Sequence, residues 1–318
     1  MIIKRSLKQS NKPEDLSIKD FYQMRNKVLV LRQTGGIGDI LMQRMMFEDF
    51  KRIFPESHIT YSCPSKYKSL AMNHPFIDEW LPSEDIDLSK YLLYFNITTA
   101  CNRHEMRVAP LSDKHRSDIW ANNCGAILSN HNMHITIEEE NKKYAQERLK
   151  ELNTEGKPTV CFCPISAMLG KNLQSEQITD TVKGLWDMGL FVYSTHIRDI
   201  PELTKLKVPV IKDISVSQWM GVIDAADHVV SVDTGAFHLS GGLGKPLVGV
   251  FGWTDGKVYG RYYKFALVQR HRDDGDWDCG PCYSWHGCPK ERQNRRKPCI
   301  TSITADNILK ATEQILDK

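Results

Sequence analysis

Asp233, Thr234, Gly235 and His238 stand where an apolar, β-branched run passes into a helix-like run, a junction at which proteins can hold an anion. Thr234 can cap the helix, Gly235 lets a ligand approach the backbone, and the first N–H groups of the helix point outward. A diphosphate is the natural guest. The bland alternative is a capping turn of any parallel sheet, with His238 a core histidine. Near the start, Gly35, Gly36 and Gly38 form a tight loop that ends in Asp39. A carboxylate at such a rim can take the proton from a hydroxyl as its oxygen attacks. It can equally do no more than stabilise a helix N-terminus, worth under about 1 kcal/mol. Ser166 and Lys171 lie in the loop 164–172 and can reach phosphate oxygens, the lysine as a point charge, unless it is an ordinary solvated surface lysine. Cys279, Cys282, Cys288 and Cys299 open with a C-x-x-C spacing, with His271 and His286 nearby. Four thiols in that pattern suit a closed tetrahedral site for structural zinc, or less often iron, against the alternative of free thiols around a loop.

The elements that must carry these residues are legible as two runs of strand and helix. Residues 27–32 read as a buried strand, 33–38 as the glycine loop, 39–54 as one helix with apolar residues along a face, and 58–62 as a second strand. The segment 73–130 is irregular, with a strand expected only at 91–97; loops that bind an acceptor belong in such a segment. Residues 138–152 are a helix with acids first and bases later, and 153–158 are a polar break. After it the order repeats: strand 159–163, helix 175–188, strand 190–194, helix 216–225, strand 228–232, then a short helix stopped by Gly244 and Pro246, and a strand ending at Phe251. The expected division is a polar extension over 1–25, a Rossmann-like domain over 26–155, and a second Rossmann-like domain over 156–318 that includes the cysteine segment 279–299; the resemblance given below implies that the first takes the acceptor and the second the donor.

Composition sets the outer limits. The chain has 318 residues, enough for two domains; 41% are hydrophobic and 25% charged, and the formal net charge is +3. That charge is too small to argue for nucleic acid by itself. No apolar run approaches the roughly 18 residues of a membrane span, the first 20 residues carry no secretory h-region, and a cytoplasmic, reducing compartment is expected, so the nine cysteines are not a disulfide framework by default. The glycine loop is not G-x-G-x-x-G, and the strand after it ends at Ser62, Cys63 and Pro64, with no acid for a ribose hydroxyl; dinucleotide binding is disfavoured.

The pattern D-T-G-x-x-H-L-x-x-x-L-G-K-P-x-V-x-x-F-G over residues 233–252 resembles the C-terminal signature of glycosyltransferase family 9, the ADP-heptose:lipopolysaccharide heptosyltransferases and their relatives. Arg32, Gly38, Asp39 and Leu41 stand in that family's R-x-x-x-x-G-D-x-L pattern. The resemblance implies an α/β GT-B fold, two Rossmann-like domains facing across a cleft, here with a C-terminal cysteine-rich clip. It implies an inverting transferase that moves a heptose or another hexose or pentose from a nucleotide-diphosphate sugar, an ADP-sugar by preference, to an acceptor hydroxyl. Asp39 is then the general base, Lys171, Ser166, Thr234 and Gly235 hold the diphosphate, and Asp233 and His238 complete the donor pocket. No cofactor is required for catalysis, and zinc or iron at the four cysteines is structural. Ile165 stands where the family has glycine, Asn172-Leu173 where it has Trp-Pro, and residues 194–199 lack the glycine-rich ribose loop. The acceptor stays open among glycan, lipopolysaccharide, protein and nucleic acid. The rival reading is a catalytically silent, transferase-like protein that binds nucleic acid or an anionic polymer through the basic run 290–297 and the interleaved Trp277, Tyr283 and Trp285.

Overall fold

The computed structural model describes residues 24–110, 112–272, 279–283, 288, 290 and 297–316. The chain forms two compact units: one reaches to His104 and resumes over Arg116–Thr136, the other comprises Glu105–His115 and the chain from Ile137 on. Among the described residues no helix is long and apolar enough to cross a membrane.

The first unit is built on four parallel strands in the order β3-β2-β1-β4: β1 Lys27–Leu31, β2 His58–Cys63, β3 Glu79–Pro82 and β4 Leu93–Asn96. β1 is apolar at four consecutive positions because both faces of a parallel sheet are covered, and Val28 to Leu31 are all buried. The single helix expected over 39–54 is two, Ile37–Arg44 and Phe47–Ile53. The reason lies in burial: every residue from Leu41 to Phe47 is buried, and one straight helix cannot turn seven consecutive side chains inward. The helices Ala100–Val108 and Arg116–Asn123 lie in the segment read as irregular.

Arg44 ties that segment down. Its guanidinium donates to the carbonyls of Leu70 (2.7 Å), Met72 (3.1 Å), Asn73 (3.4 Å), Met133 (2.8 Å) and His134 (2.6 Å). A buried cation ringed by carbonyl oxygens satisfies loops that no sheet ladder reaches. Burial pushes the Arg44 pKa down to about 10, which leaves it charged at neutral pH.

The second unit holds six parallel strands in the order β10-β9-β8-β5-β6-β7: β5 Thr159–Cys163, β6 Phe191–Thr195, β7 Val210–Ile211, β8 His228–Val232, β9 Leu247–Phe251 and β10 Ala266–Gln269. β5 is flanked by β6 on one side and β8 on the other, so the order reverses at β5. Helices Ser175–Asp187 and Ala305–Leu316 pack against the sheet, and Ile178, Val182, Leu185, Ile308 and Ile315 join Val160, Val230 and Val248 in one core. Helix Glu139–Leu152 packs on helix Val216–Asp224, where the backbone of Asn141 lies against Gly221.

Candidate functional site

In the first unit the order reverses between β1 and β4, and open α/β sheets bind ligands outside the carboxyl ends of the strands at such a point. The loop after β1 carries Gly35, Gly36 and Asp39; the loop after β4 meets it where Gln33 N donates to Thr98 Oγ1 at 3.0 Å. Gly36 is the N-cap of helix Ile37–Arg44, Gly38 lies in its first turn, and Gly36 N donates to Asp39 Oδ2 at 3.3 Å. Asp39 therefore caps its own helix. It also carries two arginines: Arg32 donates to Oδ2 at 2.9 Å and Arg116 to Oδ1 at 2.7 Å. Arg32 is itself held 5.0 Å from the Trp120 ring centre. Burial pushes the Asp39 carboxyl up, but Arg116 and Arg32 outweigh it and hold the group below its usual value. It is an anion whose two oxygens are both oriented. Gly35 has φ +147°, and a Cβ there would lie 2.5 Å from the Arg32 guanidinium, so the missing side chain is the space the arginine occupies.

In the second unit the loops after β5 and β8 meet at the reversal point. Thr234 caps helix Gly235–Leu243, its hydroxyl accepting from Ala236 N at 3.0 Å, and the helix closes on Gly244 in the left-handed region at φ +69°. Just before that helix, Asp233 is buried, accepts two hydrogen bonds and lies near a histidine. Lys171 Nζ donates to Oδ2 at 2.6 Å, the Thr254 hydroxyl donates to the same oxygen at 2.6 Å, and His238 Nε2 lies 3.8 Å from Oδ1. Burial pushes the Asp233 carboxyl up; Lys171 and then His238 overcome that and hold it well below the usual carboxylate range. The last distance is longer than an ordinary hydrogen bond. The other nitrogen of His238, Nδ1, lies 3.2 Å from Tyr263 Oη, and the ring is buried against Phe237 and Tyr263.

The loop 164–172 brings Lys171 to Asp233, and Ser166 makes hydrogen bonds within the loop. Ser166 N donates to Asn172 Oδ1 at 2.7 Å, and its hydroxyl donates to Met168 O at 3.0 Å, so the serine closes the loop on itself. Asn172 is the other half of that closure. Thr254, Arg116 and Trp253 are residues that the sequence motifs did not reach.

Cys299 is buried, with its sulfur 3.5 Å from where a Cβ on Gly252 would lie. Burial pushes its thiol up to about 12, and Cys282, Cys288 and Cys279 add to the effect. Among the described residues no group of three or more His, Cys, Asp or Glu side chains is set to hold a metal ion. Trp277, Trp285, His286 and residues 291–296 of the basic run lie outside the described residues, as does most of the expected extension 1–25.

Residues 128–273 match the family model described as glycosyltransferase family 9 (heptosyltransferase). A search of curated proteins finds no match. Among solved structures, the fold is similar to a family 9 glycosyl transferase of Veillonella parvula DSM 2008, with TM-score 0.68 and 15% identity over 93% of this chain and 98% of that one. It is similar to the ADP-heptose lps heptosyltransferase II of E. coli, with TM-score 0.65 and 14% identity over 91% and 98%. It is also similar to TibC of enterotoxigenic E. coli H10407, an iron-containing dodecameric glycosyltransferase, with TM-score 0.68 and 14% identity over 93% and 77%. The expected α/β fold of two Rossmann-like domains is thus the fold of its structural neighbours, and residues 128–273, a little under half of the chain, are similar to the glycosyltransferases of family 9.

Proposed function

We propose that the protein transfers a sugar from a nucleoside diphosphate sugar to an acceptor hydroxyl with inversion at the anomeric carbon. The observation that carries the reading is the Lys171–Asp233–Thr254 cluster beside the Thr234-capped helix, at the strand reversal of the second unit. Lys171 and the helix N-terminus at Thr234 and Gly235 supply fixed positive charge where the leaving diphosphate gains negative charge. Asp233 orients Lys171, His238 backs Asp233, and Ser166 shapes the loop that presents the lysine. An ADP-sugar is the preferred donor; one structural neighbour, TibC, was solved in complex with ADP-D-beta-D-heptose.

The acceptor oxygen attacks the anomeric carbon as the bond to the β-phosphate oxygen breaks, and the hydroxyl proton passes to Asp39. A carboxylate held this low is a weak base toward a free hydroxyl. The proton becomes acidic as the new bond forms, so Asp39 accepts it late, and Arg32 and Arg116 keep the carboxylate ionised and aimed until then. Cys279, Cys282, Cys288 and Cys299 are the residues that would hold zinc or iron as a structural clip, but among the described residues they are not grouped to bind one. Nine free thiols agree with a reducing, cytoplasmic setting.

Thermal melts with ADP-, UDP-, GDP- and CMP-sugars test the donor reading, because a ligand that binds only the folded state raises the melting temperature. One class should stabilise; stabilisation by none overturns the reading. Asp39→Asn should keep that stabilisation and lose transfer. Turnover equal to that of the unaltered protein would remove Asp39 from the role of base.

A further inference from the structure

Asp39 and Gln43 lie four residues apart on helix Ile37–Arg44 and so share a face of it, and Arg32 meets both. Gln43 is fully buried, and a buried amide persists where both of its halves find partners. With its oxygen toward Arg32 the amide accepts from Nη1 at 3.1 Å and from Nε at 3.2 Å, while its nitrogen donates to the Tyr61 hydroxyl. The opposite orientation would set the amide nitrogen against the guanidinium, donor against donor.

Arg32 is thereby held at every nitrogen. Nη2 donates to Asp39 at 2.9 Å, Nε and Nη1 donate to Gln43, and the guanidinium lies 5.0 Å from the Trp120 ring centre. The anchor behind Gln43 is rigid: Tyr61 is fully buried on β2, and its ring meets Phe47 edge-on with 4.9 Å between centres. The other titratable and charged groups that face this network are Arg116 from helix Arg116–Asn123, Arg44 beside Gln43, and Cys63 on β2. Burial pushes the Tyr61 hydroxyl well above its usual value and the Cys63 thiol up to about 11, so β2 brings no negative charge. Among the described residues Asp39 is the carboxylate that pairs with Arg32. A neutral amide at 43 fixes the guanidinium without cancelling its charge, which a carboxylate there would do.

We propose that Gln43 is a positioning residue for transfer: it holds Arg32 so that the guanidinium's charge falls undivided on Asp39, and it carries that orientation from Tyr61 on β2 to the carboxylate. This rests on the reading of Asp39 as the base.

The test uses Gln43→Met, close in volume but without donor or acceptor, together with Arg32→Met, the double variant and Tyr61→Phe. NMR of carboxyl-labelled aspartate, with Asp39→Asn to identify the signal, follows the Asp39 titration without reference to activity. Asp39 should titrate about one pH unit higher in Gln43→Met than in the unaltered protein, because burial is then opposed by less of the Arg32 charge. The acid limb of kcat should rise by a similar amount, kcat at neutral pH should fall about tenfold, and KM for the donor sugar should stay within about twofold. In the Arg32→Met background Gln43→Met should move neither reading further. Tyr61→Phe deletes only the oxygen behind the amide and should shift the carboxyl the same way by less, which keeps the test decisive if Gln43→Met does not fold. An Asp39 titration that stays put while the melting temperature falls overturns the proposal, since Gln43 then only fills the core. A shift in Gln43→Met that adds in full to that of Arg32→Met overturns it as well. Transfer by Asp39→Asn as fast as by the unaltered protein sinks the base reading and with it the link to transfer, whereas transfer lost in Asp39→Asn with an unmoved titration in Gln43→Met refutes Gln43 alone.

Discussion

Lys171→Met removes one charge from a pair in which the other member cannot reach water. The side chains of Lys171 and Asp233 are 13% and 4% exposed, and their charged atoms are 2.6 Å apart. Breaking such a pair from one side costs about 3–5 kcal/mol, most of it the penalty of leaving a charge buried and unmatched. The Thr254 hydroxyl and the nearby His238 remain for Asp233, which places the cost at the low end, about 3 kcal/mol. At about 2–4 °C per kcal/mol for a domain of roughly 150–250 residues, the melting temperature should drop by about 6–12 °C. Asp233→Asn in the Lys171→Met background removes the orphaned charge and should recover most of that drop. Melts of the two single variants and the double variant form a cycle whose coupling should be about 3 kcal/mol. Additive losses, with the double variant the least stable of the three, would refute the account of Asp233 as a buried anion that depends on Lys171.

Arg44→Met leaves the carbonyls of Leu70, Met72, Asn73, Met133 and His134 without their donor and should lower stability by about 3 kcal/mol or more, read as a drop in the urea midpoint; a change under about 1 kcal/mol would mean that water replaces the guanidinium. Gly221→Ala would ordinarily gain about 1 kcal/mol of helix propensity, but the new Cβ meets the Asn141 carbonyl oxygen at 2.4 Å, a backbone atom that cannot rotate away. The clash should win by about 1–3 kcal/mol, and a urea midpoint at or above that of the unaltered protein would show that the two helices part freely. His74 accepts from Phe76 N at 3.2 Å, and its other nitrogen faces the Arg44 carbonyl at 2.9 Å, so the neutral ring is fully used. Burial, and then the Arg44 charge, push its pKa down to about 3. Because the unfolded chain takes the proton near pH 6.5 and the folded one does not, this histidine's contribution is whole above pH 6.5 and is lost as pH falls toward 3, amounting to about 2 kcal/mol by pH 5. Urea midpoints between pH 7 and 4.5 should show that slope, and His74→Gln should flatten it; an unchanged slope would assign the acid sensitivity elsewhere.

What could be read from the chain alone follows from how far each contact reaches. β5, β6, β8 and β9 are runs of apolar residues bounded by turn residues, and Thr234 caps the helix that its position announces, because all of these are settled by near neighbours. The helix break at Met45 and Met46 was hidden, since apolar residues there extend a helical face as well as they end one. Arg116 gave no signal at all: it meets Asp39 across 77 residues, from a helix within a segment without clear periodicity. Ser166 was legible as a loop residue but not as the one that ties the loop to Asn172, which requires the backbone path.

Gly35 touches no ligand in any scheme drawn above, and it has no side chain to do so. Any side chain placed there displaces the guanidinium of Arg32, which holds one oxygen of Asp39 and rests on Trp120. In a library that samples every residue at every position, 35 should therefore score with the chemically active positions, intolerant even of alanine, although its own contribution is an empty volume. A map of mutational sensitivity would mark the vacancy as sharply as the carboxylate it serves.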